Sequence, residues 1–110
     1  MKPAIFHPAA RTAIRLFPRD VRRELGKAIF DLQRGESLAM PLSRPIRAVA
    51  QGVFELRMRD AVGIYRTFYY TQSSRGILVF HAFVKKTQTT PRHEIDLARR
   101  RLKELLDEKI

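Results

Sequence analysis

The sequence predicts an α+β fold, in which an N-terminal helical hairpin packs on a small antiparallel sheet and a C-terminal helix follows the sheet. Two observations support the fold class. Apolar residues recur at helical spacing before residue 35 and again after residue 90. Between them, residues 52–88 alternate in polarity or are rich in aromatic and β-branched residues, as strands are. The 110 residues suffice for one domain, 1–110, with a small core.

The first half of the chain contains two helix patterns. Residues 2–6 are short and apolar, and could form an edge strand that joins the later sheet. Pro8–Phe17 and Arg19–Arg34 each carry an apolar stripe, and Pro18 separates them. Gly35 is the expected C-cap of the second helix. The two helices form a hairpin that can cover one face of the sheet.

Three strands are predicted after an irregular loop. Residues 36–51 contain two prolines and are expected to be that loop. The strands correspond to Phe54–Arg59, Gly63–Tyr70 and Ile77–Val84, with short polar connections between them.

The last element is a helix. Thr90 is its expected N-cap and Pro91 its first residue. An apolar stripe predicts that it packs on the core, and the stripe consists of Ile95, Ala98, Leu102, Leu105 and Leu106.

The short connections also predict strand registers. We expect Arg57 to lie opposite Arg66, and Arg66 to lie opposite His81. Like charges directly opposite each other are unfavourable, so this pairing needs a reason: a carboxylate between the arginines (Glu55) could be one, and a phosphate ligand another. The cluster predicted on one sheet face consists of Glu55, Arg57, Arg66 and His81, with Lys85 and Lys86 beside it.

The charge balance restricts the function. There are 22 Lys and Arg residues against 11 Asp and Glu, for a formal net charge of +11. A small domain this basic usually binds nucleic acid, the ribosome or an acidic protein, although a merely solubilising surface is the alternative. The chain has no cysteine and three dispersed histidines, so we expect no disulfide, no metal site and no small-molecule cofactor. No membrane span or signal-peptide pattern is present, which favours the cytoplasm.

The predicted cluster suits RNA cleavage without a metal. That reaction needs a base, a cation for the charge that develops on phosphorus, and an acid. Arg57 and Arg66 match phosphate oxygens, and His81 titrates near neutrality. Glu55 could be the base or could hold an arginine, and a structural ion pair is the more common case. His81 could equally be a packed strand residue.

Further basic residues could contact the RNA backbone. Lys85 and Lys86 end the last strand beside the cluster, and we expect a phosphate contact from them. Arg44 and Arg47 lie in the predicted loop. They could help a ligand, although solvated charges are the more common case.

Three segments carry a family resemblance: GVFELR, GIYRTFYY and FHAFVKKTQTTPRHEIDLA. Together they resemble the RelE/ParE superfamily of bacterial toxins from type II toxin–antitoxin modules, closest to its HigB-like or phage-derived Gp49-like branch. The resemblance implies a RelE-like fold with a concave basic face. It also implies a ribosome-dependent mRNA endoribonuclease that inhibits translation, neutralised by a helix-turn-helix antitoxin (HigA-like). ParE-like members poison DNA gyrase instead, so a non-catalytic toxin is an alternative, as is a plain nucleic-acid-binding module.

The resemblance transfers to only some positions. Arg66 stands where RelE-like nucleases carry the arginine that contacts the scissile phosphate, and Lys85 or Lys86 stands at their second basic position. The acid–base lysines of the first hairpin strand are replaced by the segment Phe54–Arg57. No tyrosine follows Tyr70, so the C-terminal catalytic tyrosine has no counterpart. The resemblance therefore leaves the base unassigned.

Overall fold

A computed structural model describes residues 1–85 and 90–107 of the chain. Eight elements follow one another along it, and the helices and strands have these bounds: β1 Ala4–Phe6, α1 Pro8–Arg15, α2 Arg19–Gln33, β2 Ser43–Pro45, β3 Val53–Arg59, β4 Ile64–Ser73, β5 Gly76–Lys85 and α3 Arg92–Leu106. The α+β class is confirmed, with two helices before the main strands and one after them, but the sheet has five strands where three main strands and a possible edge strand were predicted.

The five strands form one mixed sheet in the order β1-β5-β4-β3-β2. All neighbouring strands are antiparallel except β1, which runs parallel to β5. The prediction of an antiparallel sheet was therefore wrong at this edge. Gly76 explains the close approach of β1: its φ is +136°, and a Cβ there would lie 2.3 Å from the carbonyl oxygen of Pro3.

Strand β2 lies in the segment that the sequence predicted to be an irregular loop. It is three residues long and ends in Pro45, which lacks a backbone N–H and is tolerated only at a sheet edge. Ser43 anchors the strand, because its hydroxyl and that of Tyr69 form a buried hydrogen bond of 2.6 Å. A strand this short carries too little periodicity to be predicted.

The sheet is covered by helices on both faces. Helices α1 and α2 pack on one face against Leu56, Met58 and Tyr65. Helix α3 packs on the other face against Phe68, Leu78 and Phe80, through a stripe that consists of Ile95, Ala98, Leu102 and Leu105. Leu106, which the sequence placed in this stripe, is 46% exposed.

The register between β3 and β4 is confirmed. Arg57 lies opposite Arg66, and Glu55 lies opposite Phe68. The connection is as tight as predicted, since the backbone N–H of Asp60 donates to the carbonyl of Gly63 at 3.1 Å.

The register between β4 and β5 was wrong. Arg66 lies opposite Phe83, and His81 lies opposite Phe68. Strand β4 extends to Ser73 and β5 begins at Gly76, so the turn between them is shorter than predicted.

Two irregularities, between Phe68 and Tyr69 and between Tyr70 and Ser73, shift the pairing of the two strands further. The error at Arg66 amounts to two residues, which leaves His81 on its predicted face. At the start of β5 the error is one residue, because Tyr70 pairs with Leu78 instead of Ile77, and Ile77 lies on the opposite face from the one predicted.

The start of α3 also differs from the prediction. Its N-cap is Pro91, with no side-chain cap, rather than Thr90. The Thr90 hydroxyl instead accepts a hydrogen bond from Lys85 Nζ at 3.2 Å. In residues 1–85 and 90–107, no helix has the length and apolar character needed to cross a membrane.

Candidate anion-binding site

Three guanidinium groups converge on one buried carboxylate. Glu55, on β3, is fully buried. Arg66 Nη1, also fully buried, donates to both of its oxygens at 2.8 and 2.9 Å, and Arg44 Nε donates to Oε1 at 2.5 Å. Arg57 Nε lies 3.5 Å from the same oxygen. We call these four residues the Glu55 cluster, and its arginines outnumber its carboxylate.

The sheet register produces this convergence. Arg44 lies opposite Glu55 in the β2–β3 pair, and Arg57 lies opposite Arg66 in the β3–β4 pair. Glu55 shares its sheet face with both pairs because side chains two residues apart on a strand point the same way. The carboxylate therefore relieves the repulsion between the facing arginines that the sequence analysis identified as a problem.

The cluster keeps unused hydrogen-bond donors. Among the described residues, the buried atoms Arg57 Nε, Arg66 Nε and Arg66 Nη2 have no hydrogen-bond partner, and Arg57 Nε has only its 3.5 Å ion pair with Glu55. A buried donor without a partner costs about 1–3 kcal/mol, and more when it is charged. An anion with several acceptor oxygens would satisfy these donors and balance the excess positive charge.

Lys85 extends the positive charge of the cluster. It is only 3% exposed at the end of β5. Burial and, to a smaller extent, the nearby Arg66 guanidinium lower its pKa to about 8, while Glu55 opposes both effects. Gly63 permits the strand end to come this close to the β3–β4 turn, because a Cβ there would lie 2.9 Å from the Lys85 carbonyl oxygen.

His81 lies beneath α3 and is 1% exposed. Arg101 Nη1 lies 2.8 Å from its Nδ1, and Glu94 Oε1 lies 2.7 Å from its Nε2. An arginine only donates, so Nδ1 must accept and Nε2 must donate to Glu94, which makes this imidazole neutral. Burial lowers the pKa of His81 and the Arg101 charge lowers it too, although Glu94 opposes them.

The structure thus separates His81 from the arginines with which the sequence grouped it. Both of its hydrogen-bond partners belong to α3, and the rings of Phe68 and Phe83 pack on it at centroid distances of 5.5 and 5.3 Å. Sequence reasoning missed the roles of Glu94 and Arg101. The available signal was their spacing, since both lie on the face of α3 that contains Ala98.

The remaining predicted contacts fall outside the cluster. Arg47 is exposed and lines a shallow depression with Gly52 and Gln72, toward the opposite end of β3 from Arg57. Lys86 lies outside the described residues. Within residues 1–85 and 90–107, no group of three or more histidine, aspartate or glutamate side chains is arranged to hold a metal ion.

A comparison with known protein families identifies the family of this chain. The model of the family described as "Phage derived protein Gp49-like (DUF891)" matches residues 12–103, a span that includes every residue of the Glu55 cluster together with Lys85 and His81. No curated protein shows significant similarity to the chain. Because the match covers most of the sequence, the chain belongs to the Gp49-like family, which is a family of RelE-like toxins.

Proposed function

We propose that this protein is the toxin of a type II toxin–antitoxin module and an endoribonuclease that cuts mRNA on the ribosome. The association of the Gp49-like family with toxin–antitoxin toxins supports the first part. The Glu55 cluster supports the second, because three arginines share one carboxylate and leave buried donors that a phosphodiester would satisfy. The net charge of +11 favours the approach of RNA.

Arg57 and Arg66 would bind the scissile phosphate. The donors without a hydrogen-bond partner, Arg57 Nε, Arg66 Nε and Arg66 Nη2, would donate to its non-bridging oxygens, and the partly exposed Arg44 lies beside them. The ribose 2′-oxygen then attacks phosphorus while the bond to the 5′-oxygen breaks. The products are a 2′,3′-cyclic phosphate and a 5′-hydroxyl. The guanidinium groups stabilise the additional negative charge on the phosphorus-centred transition state.

We assign proton transfer to Lys85 rather than to the residues first considered for it. Glu55 already accepts hydrogen bonds from two arginines, and both nitrogens of His81 are engaged with α3. Lys85 has a pKa of about 8, so near neutral pH its neutral amine would take the proton of the 2′-hydroxyl and the resulting ammonium would return it to the departing 5′-oxygen. In this scheme Glu55 holds the arginines, and His81 positions β5 against α3.

The proposed partners follow from this activity. They are the ribosome with its mRNA and, in the HigB-like reading of the family, a helix-turn-helix antitoxin of the HigA type in the cytoplasm. An antitoxin that inhibits this site would place a carboxylate against the arginines of the Glu55 cluster, or would cover them.

The test is induction of the chain in a bacterial host with mapping of mRNA 5′ ends. We expect new ends inside translated codons, and their loss in Arg57→Ala. Arg100→Ala is the matched control because Arg100 is exposed on α3 and outside the cluster. Growth arrest without new mRNA ends would overturn the nuclease and favour a gyrase poison. No arrest would leave only a nucleic-acid-binding module.

A further inference from the structure

A partly apolar pocket adjoins the Glu55 cluster at the open edge of the sheet. It has a volume of about 360 Å³, within the range of small-molecule sites. Its apolar walls come from the segment before β2 and from two strands, and its basic wall comes from β3. The lining residues are Pro41, Leu42, Arg57, Met58, Arg59 and Ile64.

Strand β2 begins at Ser43, opposite Leu56, so it does not cover the backbone of the last residues of β3. The last contact along this edge of β3 is the N–H of Arg57, which donates to the carbonyl of Leu42 at 2.9 Å. Residues two apart on a strand direct their N–H and C=O groups to the same side, so those of Arg59 also point away from β4. Within the described part of the chain, no neighbouring strand pairs with Arg59 on that side.

We propose that this pocket binds the base of the nucleotide whose phosphate lies on the Glu55 cluster, an inference that rests on the proposed function. Arg57 belongs to both sites, so a ligand that occupies both must carry an anionic group directly beside a flat, largely apolar group. A nucleotide has this arrangement. The exposed Arg59 guanidinium provides a plane on which a base can stack.

The pocket also has the polar groups that recognition of a base requires. The outward N–H and C=O of Arg59 can pair with an acceptor and a donor on the base edge, while Leu42 and Ile64 contact its apolar faces. The phosphate would then be fixed by the arginine cluster and the base by this edge of β3. Together they would define which nucleotide precedes the cut.

Calorimetric titrations with six compounds test the inference: inorganic phosphate, ribose 5-phosphate and each of the four nucleoside 3′-monophosphates. We expect at least one nucleotide to bind about tenfold more tightly than ribose 5-phosphate, because its base adds a stacking contact that the sugar phosphate lacks. Arg59→Ala and Ile64→Ala should remove that preference and keep phosphate binding. Arg57→Ala should weaken both, and Arg100→Ala should change neither.

The outcomes separate the two proposals. Equal affinity for every nucleotide and for ribose 5-phosphate, with phosphate binding intact, would overturn the base pocket and leave the phosphate site standing. A preference for a nucleotide that survives both pocket variants would also overturn it. No binding of phosphate, ribose 5-phosphate or nucleotide would overturn the anion site together with the pocket.

Discussion

Replacement of Glu55 with glutamine tests whether this carboxylate neutralises the arginine cluster. Glutamine keeps the size of the side chain, so the change removes a charge and leaves almost no cavity. Arg66 is fully buried, and both of its hydrogen bonds from Nη1 go to Glu55. Removing one partner of a buried ion pair costs about 3–5 kcal/mol. We expect a loss near the lower end, about 3 kcal/mol, because the glutamine oxygen retains one acceptor.

Urea unfolding followed by circular dichroism measures this loss. Folded domains are stable by about 5–15 kcal/mol, so the variant should remain folded in water with a lower midpoint. Glu36→Gln is the control: its carboxylate is half exposed and lies 3.7 Å from Arg34, and its replacement should change stability by less than about 1 kcal/mol.

Added phosphate gives a second measurement on the same variant. A ligand that binds only the folded chain stabilises it in proportion to RT ln(1 + [L]/Kd). Without Glu55 the cluster has greater excess positive charge, so phosphate should stabilise Glu55→Gln more than the natural protein. A stability loss below about 1 kcal/mol, or an equal phosphate effect in the two proteins, would refute the reasoning.

Two further predictions concern pH. The pKa of Lys85 falls from 10.5 to about 8 on folding. Between these two pH values the unfolded chain retains the proton and the folded chain loses it, so stability should rise with pH. Lys85→Met should lose this rise, worth up to about 3 kcal/mol, in denaturation at a series of pH values. Burial lowers the pKa of His81 below 6.5, so the unfolded chain is protonated first and stability should fall as pH drops below 6.5. His81→Gln should reduce that fall, and an identical acid profile would contradict the burial of a neutral imidazole.

The sequence was sufficient for the parts of the fold with strong periodicity. The helical hairpin, the β3–β4 pair and the face on which Glu55, Arg57 and Arg66 meet follow from alternation and short turns. The β4–β5 register did not follow, because extra residues on a strand leave no trace in its hydrophobic pattern.

The sequence predicted that Arg57 and Arg66 lie together with Glu55, but it did not predict that Arg44 joins them or that His81 contacts α3 instead. Arg44 belongs to the cluster because a three-residue strand places it opposite Glu55, and such a strand has no sequence signature. His81 was grouped with the arginines because strand alternation reports the face of a side chain and not what covers it. Helix α3 covers it, through Glu94 and Arg101.

The most direct test of the central claim is nuclear magnetic resonance of the arginine Nε–H groups during titration with inorganic phosphate. Within the described residues Arg57 Nε and Arg66 Nε form no hydrogen bond, whereas Arg44 Nε already donates to Glu55. If the cluster is a phosphate site, the Arg57 and Arg66 resonances shift saturably while that of the exposed Arg100 does not. If only exposed arginines respond, or if all respond in proportion to ionic strength, the cluster is a structural ion network and the proposed nuclease site is wrong.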